Sequence, residues 1–218
     1  MIFFSPLGEV FRMNGYYPPH KFLTMLEYIT DKHYLKDITF IDFLQTKEVS
    51  PAADKIHYTP EVLRPPLDMT EKTLGAEKPV LVLFEQPRCL ACDELHLDIL
   101  KREATDKLYQ QFETVMINVN GKETLVPLDG SDEISEKEWA RKLDIEYTPS
   151  LVFYARQTES QPLAEVFRVE GYVKTFHVQS AMEYVLTQAY AKPQDFQEFI
   201  RLRAESMTPE DGHLDIMQ

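Results

Sequence analysis

Cysteine is scarce in this chain: 218 residues include only Cys89 and Cys92. A secreted scaffold stapled by disulfides needs more of them, so that class is excluded. Both fall in a single Cys-x-x-Cys, which points the cysteine count toward chemistry. Glycine is sparse as well, at seven residues, which excludes collagen-like repeats, and an apolar share of 44% excludes a largely disordered chain. Basic side chains are outnumbered, 23 against 36 acidic, for a formal net charge of −13. Phosphate backbones repel such a chain, so no nucleic-acid partner is expected. Apolar runs stay as short as Val80 to Phe84, far below the ~18 to 20 residues of a membrane span, so no membrane insertion is expected. The start, Met1-Ile-Phe-Phe-Ser-Pro, has no basic leading region and too short an apolar core for an export signal.

What is present begins with a half-repeat. Residues 6–45 align without gaps on residues 162–201, an offset of 156, with fourteen of forty positions identical. Unrelated segments would share about two or three. Pro6-Leu-Gly-Glu-Val-Phe-Arg12 matches Pro162-Leu-Ala-Glu-Val-Phe-Arg168, and Gly15-Tyr16 matches Gly171-Tyr172. Self-similarity at a fixed offset indicates a duplicated structural unit. The duplication is incomplete, because nothing before residue 6 can match the stretch before residue 162. Residues 1–45 therefore read as the rear part of a module whose front is missing. Three explanations fit: a start at an internal methionine of a longer tandem protein, a deliberate cut, or a remnant retained as an added subdomain. The remnant is expected to form a hairpin (Ile2 to Phe4, Gly8 to Met13), a helix from about Lys21 to Asp31 and another across Phe40 to Leu44. Phe3, Phe11, Phe22 and Leu26 then need cover. Either they pack on the second module, or the chain self-associates. The longer-tandem explanation favours self-association, with a chain starting at about residue 60 active and more soluble.

Residues 46–77 read as a proline-punctuated connector lying across a surface, with Pro65-Pro66 extended. The second module, residues 78–204, opens with Pro79-Val-Leu-Val-Leu-Phe84, a run suited to a buried central strand. Apolar positions from Leu90 to Leu108 predict one helix over residues 89–112. Thr114 to Val119 reads as a strand, and Ser135 with Glu138 as a capping box opening a helix through Leu143. Leu151 to Tyr154 and Ala164 to Val169 read as further strands, Phe176 to Tyr190 and Phe196 to Ala204 as helices. Residues 205–218 form a tail. The order predicts an α/β fold: a mixed sheet flanked by helices, parallel first and ending in an antiparallel hairpin.

The strongest chemical signal is Phe84-Glu-Gln-Pro-Arg-Cys-Leu-Ala-Cys92, a strand that ends in a turn and opens a helix at Cys89. Thiolate is the reactive form, and the positive end of a helix stabilises it. Arg88 adds a neighbouring cation. Two intervening residues place Cys92 about one turn along, so Cys89 attacks and Cys92 resolves. The second signal is Tyr147-Thr148-Pro149-Ser150, a Thr-Pro pair entering a strand.

The two signals together resemble the thioredoxin superfamily over residues 78–190. The resemblance implies a cis bond at Pro149 facing the dithiol, and substrate pairing by the backbone of Thr148. A closer resemblance is to the periplasmic SoxW-like thioredoxins of sulfur-oxidising bacteria. It rests on the lead-in Phe84 to Cys92, on Glu165 to Tyr172 and on Phe196 with Phe199. That group implies an exported, periplasmic reductase that keeps protein thiols reduced, including the carrier cysteine of the sulfur-oxidation system, with electrons from a membrane thiol transporter. No cofactor follows from it.

Departures from ordinary thioredoxin are also visible. The central strand has Leu83 where thioredoxin has a buried acid, and Glu85, on the same strand face, is the candidate proton relay. The plain alternative for Glu85 is a solvated charge. Zinc needs four ligands, and no second pair accompanies the cysteines, so no metal is expected. His96 and the other histidines have no partner recognisable in the sequence. The alternative to an enzyme is a redox-silent thioredoxin-fold module for binding or assembly.

Overall fold

The chain opens with a hairpin: strands β1 (Ile2–Ser5) and β2 (Gly8–Arg12) pair antiparallel, with Phe3 opposite Phe11. Helices α1 (Pro19–Thr30) and α2 (Phe40–Lys47) follow. The chain is described here through a computed structural model covering residues 2–6, 8–12, 19–36, 38–47, 52–70, 74, 78–156, 162–171, 174–193 and 195–207. Met13, Gly15, Tyr16 and Tyr172 of the repeated segments, and the tail beyond residue 207, lie outside the described residues.

Residues 52–70 are bound to the module that follows rather than merely crossing its surface. The Leu63 N–H donates to the Thr114 carbonyl, and the Met116 N–H donates to the Leu63 carbonyl, both at 2.9 Å. The Pro65–Pro66 bond is cis, where the sequence suggested an extended pair. A short strand, β3 (Leu67–Asp68), then pairs with β6 (Thr124–Val126), which in turn pairs with β7 (Ile134–Ser135). Strands of two or three residues are too short to carry a periodic signal, and the sequence reading missed them.

The main sheet has four strands. Central β4 (Val80–Glu85) pairs parallel with β5 (Glu113–Asn118) and antiparallel with β8 (Ser150–Ala155), which pairs antiparallel with β9 (Ala164–Glu170). This is the mixed sheet that the element order predicts. Every residue of β4 is buried. Leu81 and Leu83 face one core with Leu95, Val178 and Met182, and Val80, Val82 and Phe84 face the other with Trp139. Each such side chain contributes on the order of 1.5–3 kcal/mol by leaving water.

Three helical stretches replace the single helix expected over residues 89–112. Helix α3 (Leu90–Leu97) stops at Asp98, a 3-10 turn covers Ile99–Lys101, and α4 is Glu103–Tyr109. Arg102 is extended, and its guanidinium forks onto the Asp98 carboxylate at 3.0 and 2.7 Å. Leu95, Ile99, Leu100 and Leu108 still reach one core, so the apolar spacing survives a break it does not reveal. Helix α5 (Glu136–Lys142) carries the capping box on Ser135 and Glu138. Helix α6 (Thr175–Leu186) is shorter than expected, because left-handed Gln188 (φ 53°) ends it, and α7 (Phe196–Ser206) closes the described chain.

The sequence offset of 156 recurs in the elements: β2 and β9, α1 and α6, and α2 and α7 start at positions separated by it. Lys32 and Gln188 are both left-handed, and Arg12–Glu9 and Arg168–Glu165 are both ion-paired.

On the apolar face of the N-terminal unit, Tyr147 of the second module covers Phe11 and Phe40, while Phe3, Phe22 and Leu26 are partly buried. Phe11, Met25, Tyr28, Phe40 and Phe43 are buried in one cluster with Tyr147. Tyr147 meets Phe11 and Phe40 edge-on at 6.3 and 6.0 Å, and its hydroxyl donates to the Arg12 carbonyl at 3.0 Å. Self-association, which the sequence favoured, is therefore not needed to cover Phe11 and Phe40. A chain starting at residue 60 would expose Tyr147, and it should melt below the full chain. Phe11→Ala should destabilise the full chain by about 3–5 kcal/mol in urea unfolding. A loss under about 1 kcal/mol would mean that the unit is only loosely attached.

Candidate functional site

Strand β4 delivers the chain to a turn at the edge of both cores, and the turn is held from outside. The Arg88 N–H donates to the Ala53 carbonyl at 2.8 Å, which fixes Arg88 in the left-handed region (φ 60°). For a non-glycine residue this costs on the order of 1–2 kcal/mol, so the surroundings must impose it. The Arg88 guanidinium turns outward onto Asp54 at 3.0 Å, with both side chains largely in water. The cation expected beside Cys89 is thus shared with a carboxylate.

Cys89 is the N-cap of α3, and its Sγ accepts the Cys92 N–H at 3.1 Å. An N–H that a helix start leaves unpaired is here aimed at sulfur, an arrangement that favours a thiolate at Cys89 in the reduced protein. Cys89 and Cys92 are joined as a disulfide with Cα atoms 5.2 Å apart. Both are buried, while Leu90 between them is 47% exposed. The Thr148–Pro149 bond is cis, and the Thr148 carbonyl oxygen lies 3.6 Å from Cys89 Sγ. A disulfide sulfur carries no hydrogen, so this is a contact that becomes a hydrogen bond when Cys89 is a thiol. The Ser150 hydroxyl donates to the Tyr147 carbonyl at 2.7 Å, and the Gly171 N–H donates to the Pro149 carbonyl at 3.2 Å. Gly171 sits at φ 86°, where a side chain would be strained. Of the residues singled out in the sequence, the fold thus brings Cys89, Cys92, Thr148 and Pro149 together. Arg88 faces away.

Glu85 is fully buried, so the reading of it as a solvated charge fails. Its Oε1 lies 2.7 Å from Nε2 of His96. The His57 ring stacks on His96, with centroids 5.2 Å apart, and His57 Nε2 lies 2.5 Å from Asp93 Oδ1. Sequence reasoning missed this cluster. The signal for His96 was its place four residues after Cys92, on the same helix face. No sequence signal could reach His57, which comes from the connector. Among the described residues no group of three or more His, Cys, Asp and Glu is placed to hold a metal ion, and no helix is long and apolar enough to cross a membrane.

Glu146 stands at the seam between the N-terminal unit and the Thr148–Pro149 loop. With Phe11, Ile38 and Arg141 it lines a cavity of about 360 Å³, and its Oε2 is buried with no partner among the described residues. Burial first, then the charges of Glu170, Asp144 and Glu9, push its carboxyl up from 4.5 to about 7. The folded protein therefore holds this proton more tightly than the unfolded chain. The stability it contributes is complete below pH 4.5 and is lost as pH rises through about 7. Glu146→Gln should flatten the fall in unfolding free energy across that window, measured by urea titration at each pH. An unchanged slope would place the ionisation elsewhere.

Residues 68–186, over half of the chain, match the family described as a thioredoxin-like domain. No curated protein matches the sequence. Among solved structures the chain is similar to a thioredoxin-fold protein from Helicobacter pylori, with 15% identity over 70% of this chain and 94% of that one and a TM-score of 0.49. It is similar also to a thioredoxin from Thermus thermophilus, with 19% identity over 54% and 80% and a TM-score of 0.41. A disulphide isomerase from Xylella fastidiosa shares 16% identity over 59% and 78%, with a TM-score of 0.28. By the match over residues 68–186, the chain belongs to the thioredoxin-like domain family.

Proposed function

We propose that the protein is a reductase of protein disulfides that works through the Cys89–Cys92 dithiol. The observation that carries this reading is Cys89 at the start of α3, its sulfur taking the Cys92 N–H and lying against the Thr148 carbonyl. Cys89 as thiolate attacks a substrate disulfide and forms a mixed disulfide, releasing one substrate thiol. Cys92 then attacks Cys89 Sγ, the internal disulfide forms, and the second substrate thiol leaves. The backbone of Thr148 pairs with the bound substrate strand. Pro149 has no N–H and does not compete for that pairing.

The resemblance of Phe84 to Cys92 and of Glu165 to Tyr172 to SoxW-like proteins supports a finer reading. On it, the protein is periplasmic, keeps thiols of a sulfur-oxidation system reduced, and takes its electrons from a membrane thiol transporter. A second reading, a redox-silent docking module, draws on the cysteine-free N-terminal unit packed against Tyr147 beside the Thr148–Pro149 loop.

Insulin reduction with dithiothreitol separates the two. Cys89→Ser should lower turnover by at least about a hundredfold, the scale of losing a nucleophile. Cys92→Ser should accumulate a mixed disulfide on Cys89, visible by mass spectrometry. Trapping on Cys92 in the Cys89→Ser protein would reverse the roles, and an inert parent chain would favour the docking module.

A further inference from the structure

Asp93 has no part in the exchange between the cysteines, yet it follows Cys92 directly and reaches outside residues 68–186 of the family domain. From the first turn of α3 its carboxylate extends to the connector. One oxygen accepts the Ala53 N–H at 3.0 Å, and the other meets Nε2 of His57 at 2.5 Å. The His57 ring stacks on His96, which also belongs to α3 and meets the buried Glu85. The side chains of His57 and Asp93 are largely shielded from water, at 21% and 17% exposure. Exposed ion pairs contribute little, but a shielded carboxylate with donors on both oxygens holds its partners in one geometry.

The connector returns this grip to the start of the same helix. Ala53 is tied to Asp93 by its N–H, and its carbonyl accepts the Arg88 N–H at 2.8 Å. Arg88 is left-handed there (φ 60°), and Cys89 follows as an extended N-cap (φ −114°, ψ 99°). That backbone folds Sγ over the first turn, onto the Cys92 N–H and beside the Thr148 carbonyl. Without an outside hold Arg88 would leave the left-handed region, where its Cβ crowds the backbone. Cys89 would then rotate, and its Sγ would lose the N–H that favours a thiolate. A carboxylate so near the dithiol would by charge alone disfavour a second anion. Donors on both of its oxygens disperse that charge.

We propose that Asp93, with His57, is a positioning residue for the nucleophile: through Ala53 it locks the backbone of Arg88 and so keeps Cys89 Sγ on the Cys92 N–H in the reduced protein. The proposal rests on the reductase reading. Neither Asp93 nor His57 touches the substrate or takes a proton in the exchange. Only the backbone of Arg88 takes part, since its side chain turns outward onto Asp54. The connector is on this account a working part of the site, and it sets the reactivity of Cys89 from outside the family domain.

The test reads Cys89 directly. The reduced full chain is alkylated with iodoacetamide across a pH series, and the product on Cys89 is followed by mass spectrometry. Asp93→Asn turns an amide NH2 toward one of the two donors. The midpoint of its pH–rate profile should lie about half a unit to one unit above that of the parent, and insulin reduction should slow about threefold to tenfold. Loss of a negative charge alone would move the midpoint the other way, so the sign separates positioning from charge. Glycine enters the left-handed region freely, so in Arg88→Gly the turn no longer depends on the connector. Asp93→Asn should therefore shift the midpoint far less in an Arg88→Gly chain than in the parent, a coupling that a charge effect would not produce. His57→Phe keeps a ring against His96 and removes the donor to Asp93. It should show the same coupling, which covers the case in which the Asp93 variant does not fold. A midpoint that stays or falls in Asp93→Asn, or an equal shift in the two backgrounds, would overturn the positioning role while leaving the reductase reading intact. A parent chain no faster than Cys89→Ser in insulin reduction would overturn both.

Discussion

Strand β4 sets the terms for the rest of the molecule, because it is buried on both faces along its whole length. A strand so placed cannot slip by one residue without moving Leu81 and Leu83 into the other core. Its end point is therefore fixed, and with it the turn through Arg88 and the place where α3 begins. Cys89 falls at that start and so receives the unpaired N–H of Cys92. Strand β8 pairs with the other edge of β4, and the same register brings Thr148 and Pro149 to the dithiol. Chemistry at the cysteines is thus a consequence of packing in the sheet behind them.

The second dependence is on the segment that looked like a linker. Ala53 holds the backbone of Arg88, Asp54 takes its side chain, and His57 reaches Asp93 and His96. Farther along, Leu63 bonds to the edge strand β5. The N-terminal unit is attached in a similar way through Tyr147, the residue before Thr148. Both additions to the family domain therefore contact the segments that present the dithiol and its facing loop.

Much of the main sheet was legible because apolar run, alternation and turn residues agree with one another there. Val80 to Phe84, Thr114 to Val119, Leu151 to Tyr154 and the Ser135–Glu138 box all appear where local chemistry places them. The break at Asp98 was not legible, since neither proline nor glycine marks it and the apolar spacing continues across it. At the site, the two cysteines and Thr148-Pro149 were readable from spacing. Glu85 was readable only as an ambiguity, because a carboxylate at a strand end is ordinarily hydrated. Its burial depends on His96 and on a connector histidine distant in sequence, and no local pattern encodes such a contact. The cover of Phe11 and Phe40 was misjudged for the same reason: Tyr147, which provides it, lies more than a hundred residues away.

The proposed function has this dithiol exchange with substrate disulfides through Cys89 and close on itself through Cys92. Its most direct test is a single-turnover reaction of the fully reduced chain with excess disulfide peptide, quenched in acid and read by mass. Each chain should lose both thiols together, gain the Cys89–Cys92 disulfide and release two peptide thiols. A folded chain that keeps both thiols under these conditions, or that stops with the peptide still attached, would contradict it.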